Sequence, residues 1–202
     1  MSEALIILLH GVGSRGADLA PLGDHWQTVF PGLQAVSPDA PFPFDGGGHG
    51  RQWFSVAGVT EANRAARIVE ARLAFDQTIG RIVADQGFAK RLDRVVLVGF
   101  SQGSIMALDA LVSGRWPVRA VVAFAGRLAS PEPFAPASDS DVLLVHGDAD
   151  PVMPVALSAQ AEAALARAGY RARRYIVPGV GHTITPPGVQ AATQFLAQAI
   201  GS

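Results

Sequence analysis

A serine set between two glycines carries the first chemical signal. Gly99-Phe100-Ser101-Gln102-Gly103 follows directly on the apolar, β-branched run Val95-Val96-Leu97-Val98 and opens an amphipathic stretch that extends to Val112. A sharp strand-to-helix reversal packs the residues two before and two after its apex closely, which calls for positions without side chains. Gly99 and Gly103 supply them. On such a turn the Ser101 hydroxyl projects from the C-terminal edge of a sheet. The backbone N–H of Gln102, in the first helical turn, points at any negative charge that develops there. A five-residue pattern of this kind also recurs by chance as an ordinary tight turn; the strand before it and the helix after it argue for chemistry. A serine hydroxyl is a weak nucleophile until a base takes its proton, so the chemistry requires an acid and then a histidine further along the chain.

Both are present. The run Val142 to Val145 leads into His146-Gly147-Asp148-Ala149-Asp150-Pro151, which places two carboxylates just past the end of a strand. Either can orient a histidine. Asp150 is the choice, because Asp148 lies so close to Gly147 that it suits an Asx-type bond to nearby backbone N–H groups; purely structural roles for both aspartates are the alternative. Tyr175-Ile176-Val177 leads into Pro178-Gly179-Val180-Gly181-His182, and His182 is the sole histidine after Asp150. Of the other four, His10 and His146 stand at strand ends before glycine, where a structural role is expected. His25 falls inside a helical stretch, and His49 in a glycine-rich loop is expected at the surface. No pair has metal-ligand spacing, so neither a metal nor another cofactor is expected. The turn His10-Gly11-Val12-Gly13-Ser14-Arg15-Gly16 after the first apolar run lacks both the P-loop lysine and the dinucleotide-binding glycine spacing. In a serine hydrolase this first turn donates the second oxyanion N–H, and Val12 occupies that place.

The elements that must position these residues alternate between short β-type runs and longer helical stretches, the pattern of an α/β fold. Strands are expected at Leu5 to Leu9, Leu33 to Ser37, Val95 to Val98, Val118 to Phe124, Val142 to Val145 and Tyr175 to Val177. Their near-continuous apolar character suits a mainly parallel sheet of about six strands, covered on both faces. Helices are expected at about Leu19 to Phe30, Glu61 to Ala84, Gln102 to Val112, Val155 to Ala168 and Val189 to Ala199, with Gly32, Gly87, Gly114 and Gly169 past the ends of the first four. Within the second, Ala62, Ala65, Ala66, Val69, Leu73, Ile79, Ile82 and Val83 sketch one apolar face, and Thr60 is the expected N-cap. Ser37 to Gly58, with three prolines, a triple glycine and Trp53-Phe54, reads as one long loop, of a length usually given to function or mobility.

The chain has 202 residues, 16 basic against 17 acidic side chains, no cysteine, 49% hydrophobic and 16% charged residues. Burial of roughly 70% of the unfolded chain's surface is available at that length, enough for one domain over residues 1–202 without disulfide or metal. Near-neutral charge without a basic run argues against nucleic acid, and the apolar content argues against disorder. The absence of cysteine removes disulfides, thiolate zinc sites and a cysteine nucleophile together. Met1, Ser2 and Glu3 before a six-residue apolar run form neither a signal peptide nor a membrane span, so a cytoplasmic location is expected.

These motifs together resemble the phospholipase/carboxylesterase family of the α/β-hydrolases, in its carboxylesterase and acyl-protein-thioesterase branch. The resemblance runs through Leu9-His10-Gly11-Val12-Gly13, Gly99-Phe100-Ser101-Gln102-Gly103-Ser104 with Met106-Ala107-Leu108, His146-Gly147-Asp148-Ala149-Asp150-Pro151 and Gly181-His182. It implies a Ser101, Asp150, His182 triad, an oxyanion hole from the N–H groups of Val12 and Gln102, and a Trp53-Phe54 pair flanking the acyl site. The last pair can equally be a core anchor for the long loop. Three positions depart from the family pattern, Ser104 for glycine, Ser14 for an acidic residue, and Met153 for valine; none removes a catalytic group, all three bear on the acyl pocket and its preference, and Met153 is taken with Trp53 and Phe54 as a candidate substrate contact. The first strand matches the one usually numbered third, so the family's N-terminal hairpin is expected to be absent. The expectation is a serine hydrolase acting on small to medium carboxylic esters; a homodimer would fit the resemblance. Thioester, lysophospholipid or lactone hydrolysis by the same triad are the alternatives, along with a ligand-binding protein that does not turn its ligand over.

Overall fold

In the computed structural model, which describes residues 3–135 and 139–201, the six expected apolar runs pair side by side. Met1 and Ser2, part of the N-terminal stretch considered above, lie outside the described residues. Strands β1 (Ala4–Leu9), β2 (Leu33–Val36), β5 (Val95–Phe100), β6 (Ala120–Phe124), β7 (Asp141–Gly147) and β8 (Arg171–Val177) form one sheet in the order β2-β1-β5-β6-β7-β8, and every pairing in it is parallel. Helices α1 (Ala20–Val29), α2 (Arg64–Asp85), α3 (Gln102–Val112), α4 (Ala156–Arg167) and α5 (Pro186–Ile200) complete the alternation.

The sheet divides the core in two, because successive strand side chains point to opposite faces. Leu5, Ile7, Leu9, Leu97, Val121 and Leu144 pack with buried residues of α2, α3 and α4. Ile6, Leu8, Val96, Val98, Val122 and Val145 pack with Trp26 of α1 and Ala192, Phe195 and Leu196 of α5. The Trp26 indole N–H also donates to Thr193 Oγ1 at 2.9 Å, tying α1 to α5. α3 is buried along its whole length, which explains an apolar composition not confined to one face.

Two elements, α2 and β8, differ clearly from the sequence expectation. α2 starts at Arg64, not Glu61, because Thr60 and Asn63 trade hydrogen bonds in the turn before it: Thr60 N–H to Asn63 Oδ1 at 2.8 Å, and Asn63 N–H to Thr60 Oγ1 at 3.3 Å. Thr60 therefore shapes the approach and Asn63 takes the cap position. The buried stripe of α2 is Ile68, Ala71, Phe75, Ile79 and Val83, whereas Val69 and Leu73 face solvent. β8 begins four residues before Tyr175, in a stretch whose arginines hide it from a hydrophobicity count. It is an edge strand, and Arg171, Arg173 and Arg174 blunt that edge while bonding Asp141, Gln198 and Glu162.

The long segment from Ser37 to Gly58 is not all loop. Strands β3 (Phe42–Pro43) and β4 (Arg51–Gln52) pair antiparallel within it, and the Arg51 guanidinium closes the segment on the carbonyls of Ala40 and Pro41.

Candidate active site

Five of the sheet's connections leave from the C-terminal ends of β1, β5, β6, β7 and β8, the edge at which open α/β sheets place their ligand sites. The connection after β5 is the sharp turn expected from its glycines. Ser101 sits at its apex with φ +53°, and its N–H donates to the Phe124 carbonyl at 2.9 Å, which fixes the turn to β6. A Cβ on Gly103 would lie 2.0 Å from the Leu9 carbonyl oxygen, and one on Gly99 2.4 Å from the Ser104 nitrogen. Neither backbone can retreat, so both positions exclude a side chain. Ser104 uses its hydroxyl here as well, donating to the Gly99 and Phe124 carbonyls at 2.7 and 2.8 Å.

His182 Nε2 stands 2.9 Å from Ser101 Oγ, and His182 Nδ1 stands 2.7 Å from Asp150 Oδ2. The Phe100 ring packs on the imidazole with centroids 5.0 Å apart. Asp150 is buried and accepts the backbone N–H groups of Val152 and Met153 on Oδ1, each at 2.8 Å. Burial alone would raise its pKa; the N–H of Met153, then His182 and the N–H of Val152, outweigh that and hold the carboxyl below its ordinary range. Asp148 turns elsewhere, accepting the Gly179 N–H at 2.6 Å and so joining its own loop to the one that carries His182.

Gly147 makes this meeting of loops feasible. A Cβ there would come within 2.1 Å of the Val180 carbonyl oxygen, and the loops also share bonds from Asp148 N–H to Val177 and from Ala149 N–H to Val180.

Val12, Phe54, Ser101, Gln102 and Met153 line one cleft of about 640 Å³, together with Ile105, Leu157, Glu61, Arg64 and Arg127. No hydrogen bond occupies the N–H of Val12 or of Gln102 among the described residues, so both remain open to an oxygen in the cleft. Trp53 does not line it. The indole is 1% exposed, donates to the His10 carbonyl at 2.9 Å and packs edge-on against Phe75, which makes it the core anchor of its loop. Phe54 is nearly as buried, yet reaches the cleft wall.

Several residues near the site escaped the sequence reading. The Gln102 side chain clamps the Trp53-Phe54 segment, accepting the Trp53 N–H and donating to the Phe54 carbonyl, both at 2.7 Å. His146 Nε2 lies 2.7 Å from the Met153 carbonyl and 3.5 Å from Asp150 Oδ2, bracing the aspartate's loop from below. The arginines of the cleft come from α2 and from the loop after β6, so no local motif announces them. His10 and His146 are buried and bonded to backbone groups, as strand-end histidines were expected to be. His49 is exposed, and His25 borders a separate hollow of about 860 Å³ between α1 and α5 that contains none of Ser101, Asp150 or His182. Among the described residues no group of three potential ligands could hold a metal ion, and no helix is long and apolar enough to cross a membrane.

Comparison with known proteins agrees with this architecture. A sequence model of the family described as phospholipase/carboxylesterase matches residues 1–200. The chain is 35% identical over 195 residues to esterase YpfH of Escherichia coli, covering 96% of this chain and 82% of that protein. It is 26% identical over 216 residues to acyl-protein thioesterase 1 of Neurospora crassa, covering 96% and 86%. Among solved structures, esterase PE8 superposes with a TM-score of 0.89 at 36% identity, covering 98% of this chain and 93% of that one. A Bacillus cereus carboxylesterase, at 18% identity and a TM-score of 0.82 over 98% and 89% of the two chains, shares the fold.

Proposed function

The chain belongs to the phospholipase/carboxylesterase family and is an esterase or thioesterase of the α/β-hydrolase fold, and on that premise we propose that it cleaves small to medium carboxylic esters through Ser101, His182 and Asp150. The observation that carries this reading is the continuous chain of contacts from Asp150 Oδ2 through His182 to Ser101 Oγ, at 2.7 and 2.9 Å, opening on the cleft.

In this mechanism His182 Nε2 takes the Ser101 proton as Oγ attacks the acyl carbon. The tetrahedral oxyanion is held by the N–H groups of Val12 and Gln102. His182 then protonates the leaving alcohol, and the acyl group remains on Ser101. Water, deprotonated by the same imidazole, attacks the acyl-enzyme, and collapse of the second tetrahedral intermediate releases the acid and returns the proton to Ser101. Asp150 accepts a hydrogen bond from the Nδ1–H of His182 throughout, fixing the tautomer and stabilising the transient imidazolium. Phe54, Ile105, Met153 and Leu157 supply the apolar wall for the acyl chain. Glu61, Arg64 and Arg127 add charge to the same lining, and a cleft of about 640 Å³ suits small to medium acyl chains.

The test is hydrolysis of p-nitrophenyl acetate, butyrate, octanoate and palmitate by the wild type and by Ser101→Ala. Wild-type turnover that peaks at acetate or butyrate and falls by several orders of magnitude in the variant supports the proposal. Equal rates in the two proteins would remove Ser101 as nucleophile, and a palmitate optimum would overturn the chain-length limit. A folded wild type inactive on all four would favour a cleft that binds without turnover.

A further inference from the structure

Beside Ser101, the lining of the cleft includes two guanidinium groups and one carboxylate that the mechanism above does not use. Arg127 grips Glu61 with both arms, Nη1 to Oε1 at 2.9 Å and Nη2 to Oε2 at 2.7 Å, and Arg64 adds Nη2 to Oε1 at 3.1 Å. All three residues line the same cleft as Ser101, and no other charged residue does. Arginine does not lose its charge in proteins, so the cluster carries a net charge of one positive unit. The arginine side chains are only 16% and 20% exposed, whereas the Glu61 side chain is 71% exposed on the turn before α2. The Nε atoms of both arginines are shut off from water without a hydrogen-bond partner. Unsatisfied donors of this kind are costly and call for a reason. Hydrogen bonds from Arg127, and then Arg64, pull the Glu61 carboxyl down to about 2.

Glu61 thus shows what this part of the cleft accepts: a carboxylate, met by a planar fork in two-point geometry. It also leaves the positive charge half answered. A second carboxylate arriving from the cleft would bring the sum to zero, and the exposed Glu61 side chain can yield its place at little steric cost. We propose that Arg64 and Arg127 form an anion-binding part of the active-site cleft, and that the substrates of this chain are short esters whose non-reacting end carries a carboxylate. This rests on the hydrolase reading above and narrows its substrate class.

Two pairs of esters that differ in charge test it. p-Nitrophenyl hydrogen adipate against p-nitrophenyl methyl adipate places the charge on the acyl side; 3-carboxy-4-nitrophenyl butyrate against 4-nitrophenyl butyrate places it on the alcohol side. In at least one pair the wild type should favour the anionic ester by about tenfold or more in kcat/KM at low ionic strength, the size expected of one charge-assisted hydrogen bond. Arg127→Gln and Arg64→Gln should each lower that ratio severalfold, while Glu61→Gln, which removes a competing carboxylate, should raise it. Misfolding cannot move a ratio in opposite directions. A wild-type ratio near one in both pairs overturns the proposal, as does a ratio that neither arginine variant changes. If no ester is turned over at all, the hydrolase reading fails by itself. Calorimetric binding of adipate then decides the anion site: uptake by the wild type that Arg127→Gln abolishes supports it, and no uptake by the wild type overturns it.

Discussion

Asp148 and Asp150 stand two residues apart on one loop, and their partners give them different work. Asp148 Oδ1 receives the Gly179 N–H and never meets the imidazole, whereas Asp150 Oδ2 faces His182 Nδ1. Asp150→Asn keeps the size of the side chain but removes the charge that stabilises the imidazolium, and it lets an amide present N–H where an acceptor is needed. The expected outcome is a fall in kcat of about 10⁴-fold. Asp148→Asn keeps an acceptor oxygen for Gly179 and should lose less than about tenfold, its loops still joined by two backbone bonds. Steady-state rates on p-nitrophenyl butyrate check both; equal losses would mean that the two carboxylates act together. The serine, the aspartate pair and the histidine were legible because each follows a strand run and precedes or follows glycine. Phe100 on the imidazole and the Gln102 amide at Trp53 were not, since their partners lie far along the chain; the contact of His146 with Asp150 is local, but it depends on how the loop after β7 curls back, which no residue pattern displays. Trp53 shows the reverse case: its position beside Phe54 suggested a cleft residue, but its indole N–H finds the His10 carbonyl inside the core.

Between elements, the placement of Asp150 against His182 depends on how closely the ends of β7 and β8 approach. Gly147 ends β7, and the Val180 carbonyl occupies the space where its Cβ would be, at 2.1 Å. Gly147→Ala must therefore push apart the loops bearing Asp150 and His182. Overpacking of this kind costs about 1–3 kcal/mol of stability, but a shift near 1 Å in catalytic geometry costs about 10² in rate. The variant should remain folded, with a lowered urea midpoint, and lose at least about a hundredfold in kcat; wild-type kcat in a destabilised protein would separate loop contact from catalysis. Sequence patterning showed the succession of strands and helices along the chain, because strands buried on both faces read as plain apolar runs, but not the order in which the strands lie in the sheet. It was weakest where another requirement replaced burial. The arginine-rich edge of β8 concealed four residues of strand, and the Thr60–Asn63 exchange moved the start of α2 beyond the point where helical spacing begins. The two-residue strands β3 and β4 were too short, and too close to proline and glycine, to show any period.

For the molecule as a whole, proton uptake should act against folding in two separate ranges. His10 is fully buried, with Nδ1 2.7 Å from the Gly11 carbonyl and Nε2 accepting the Ala40 N–H at 2.9 Å. Those partners fix the neutral Nδ1–H tautomer, since a second proton on Nε2 would face a donor. Burial outweighs the Gly11 carbonyl and lowers its pKa below the ordinary 6.5. The unfolded chain therefore binds this proton first as pH falls, and stability declines below about 6.5 until the folded value is reached. The carboxyls act lower on the scale. Burial raises the pKa of Asp109, but Arg72, then Ser130 and Arg115, outweigh it, and Asp141 is held down in the same sense by Arg171 and Arg119. With folded values beneath the unfolded ones, these groups and Asp150 contribute stability that is present above about pH 4 and lost as pH falls through their folded values. Urea midpoints measured from pH 8 to pH 3 should be level at the alkaline end, decline modestly once the pH falls below about 6.5, and decline steeply below about 4. His10→Asn should be less stable at pH 8, because it disturbs the Gly11 and Ala40 bonds, but it should lack the first decline while keeping the second. A wild-type midpoint that stays level from pH 8 to 5 would show that His10 takes its proton without resistance, and would leave the acid sensitivity to the carboxyls alone.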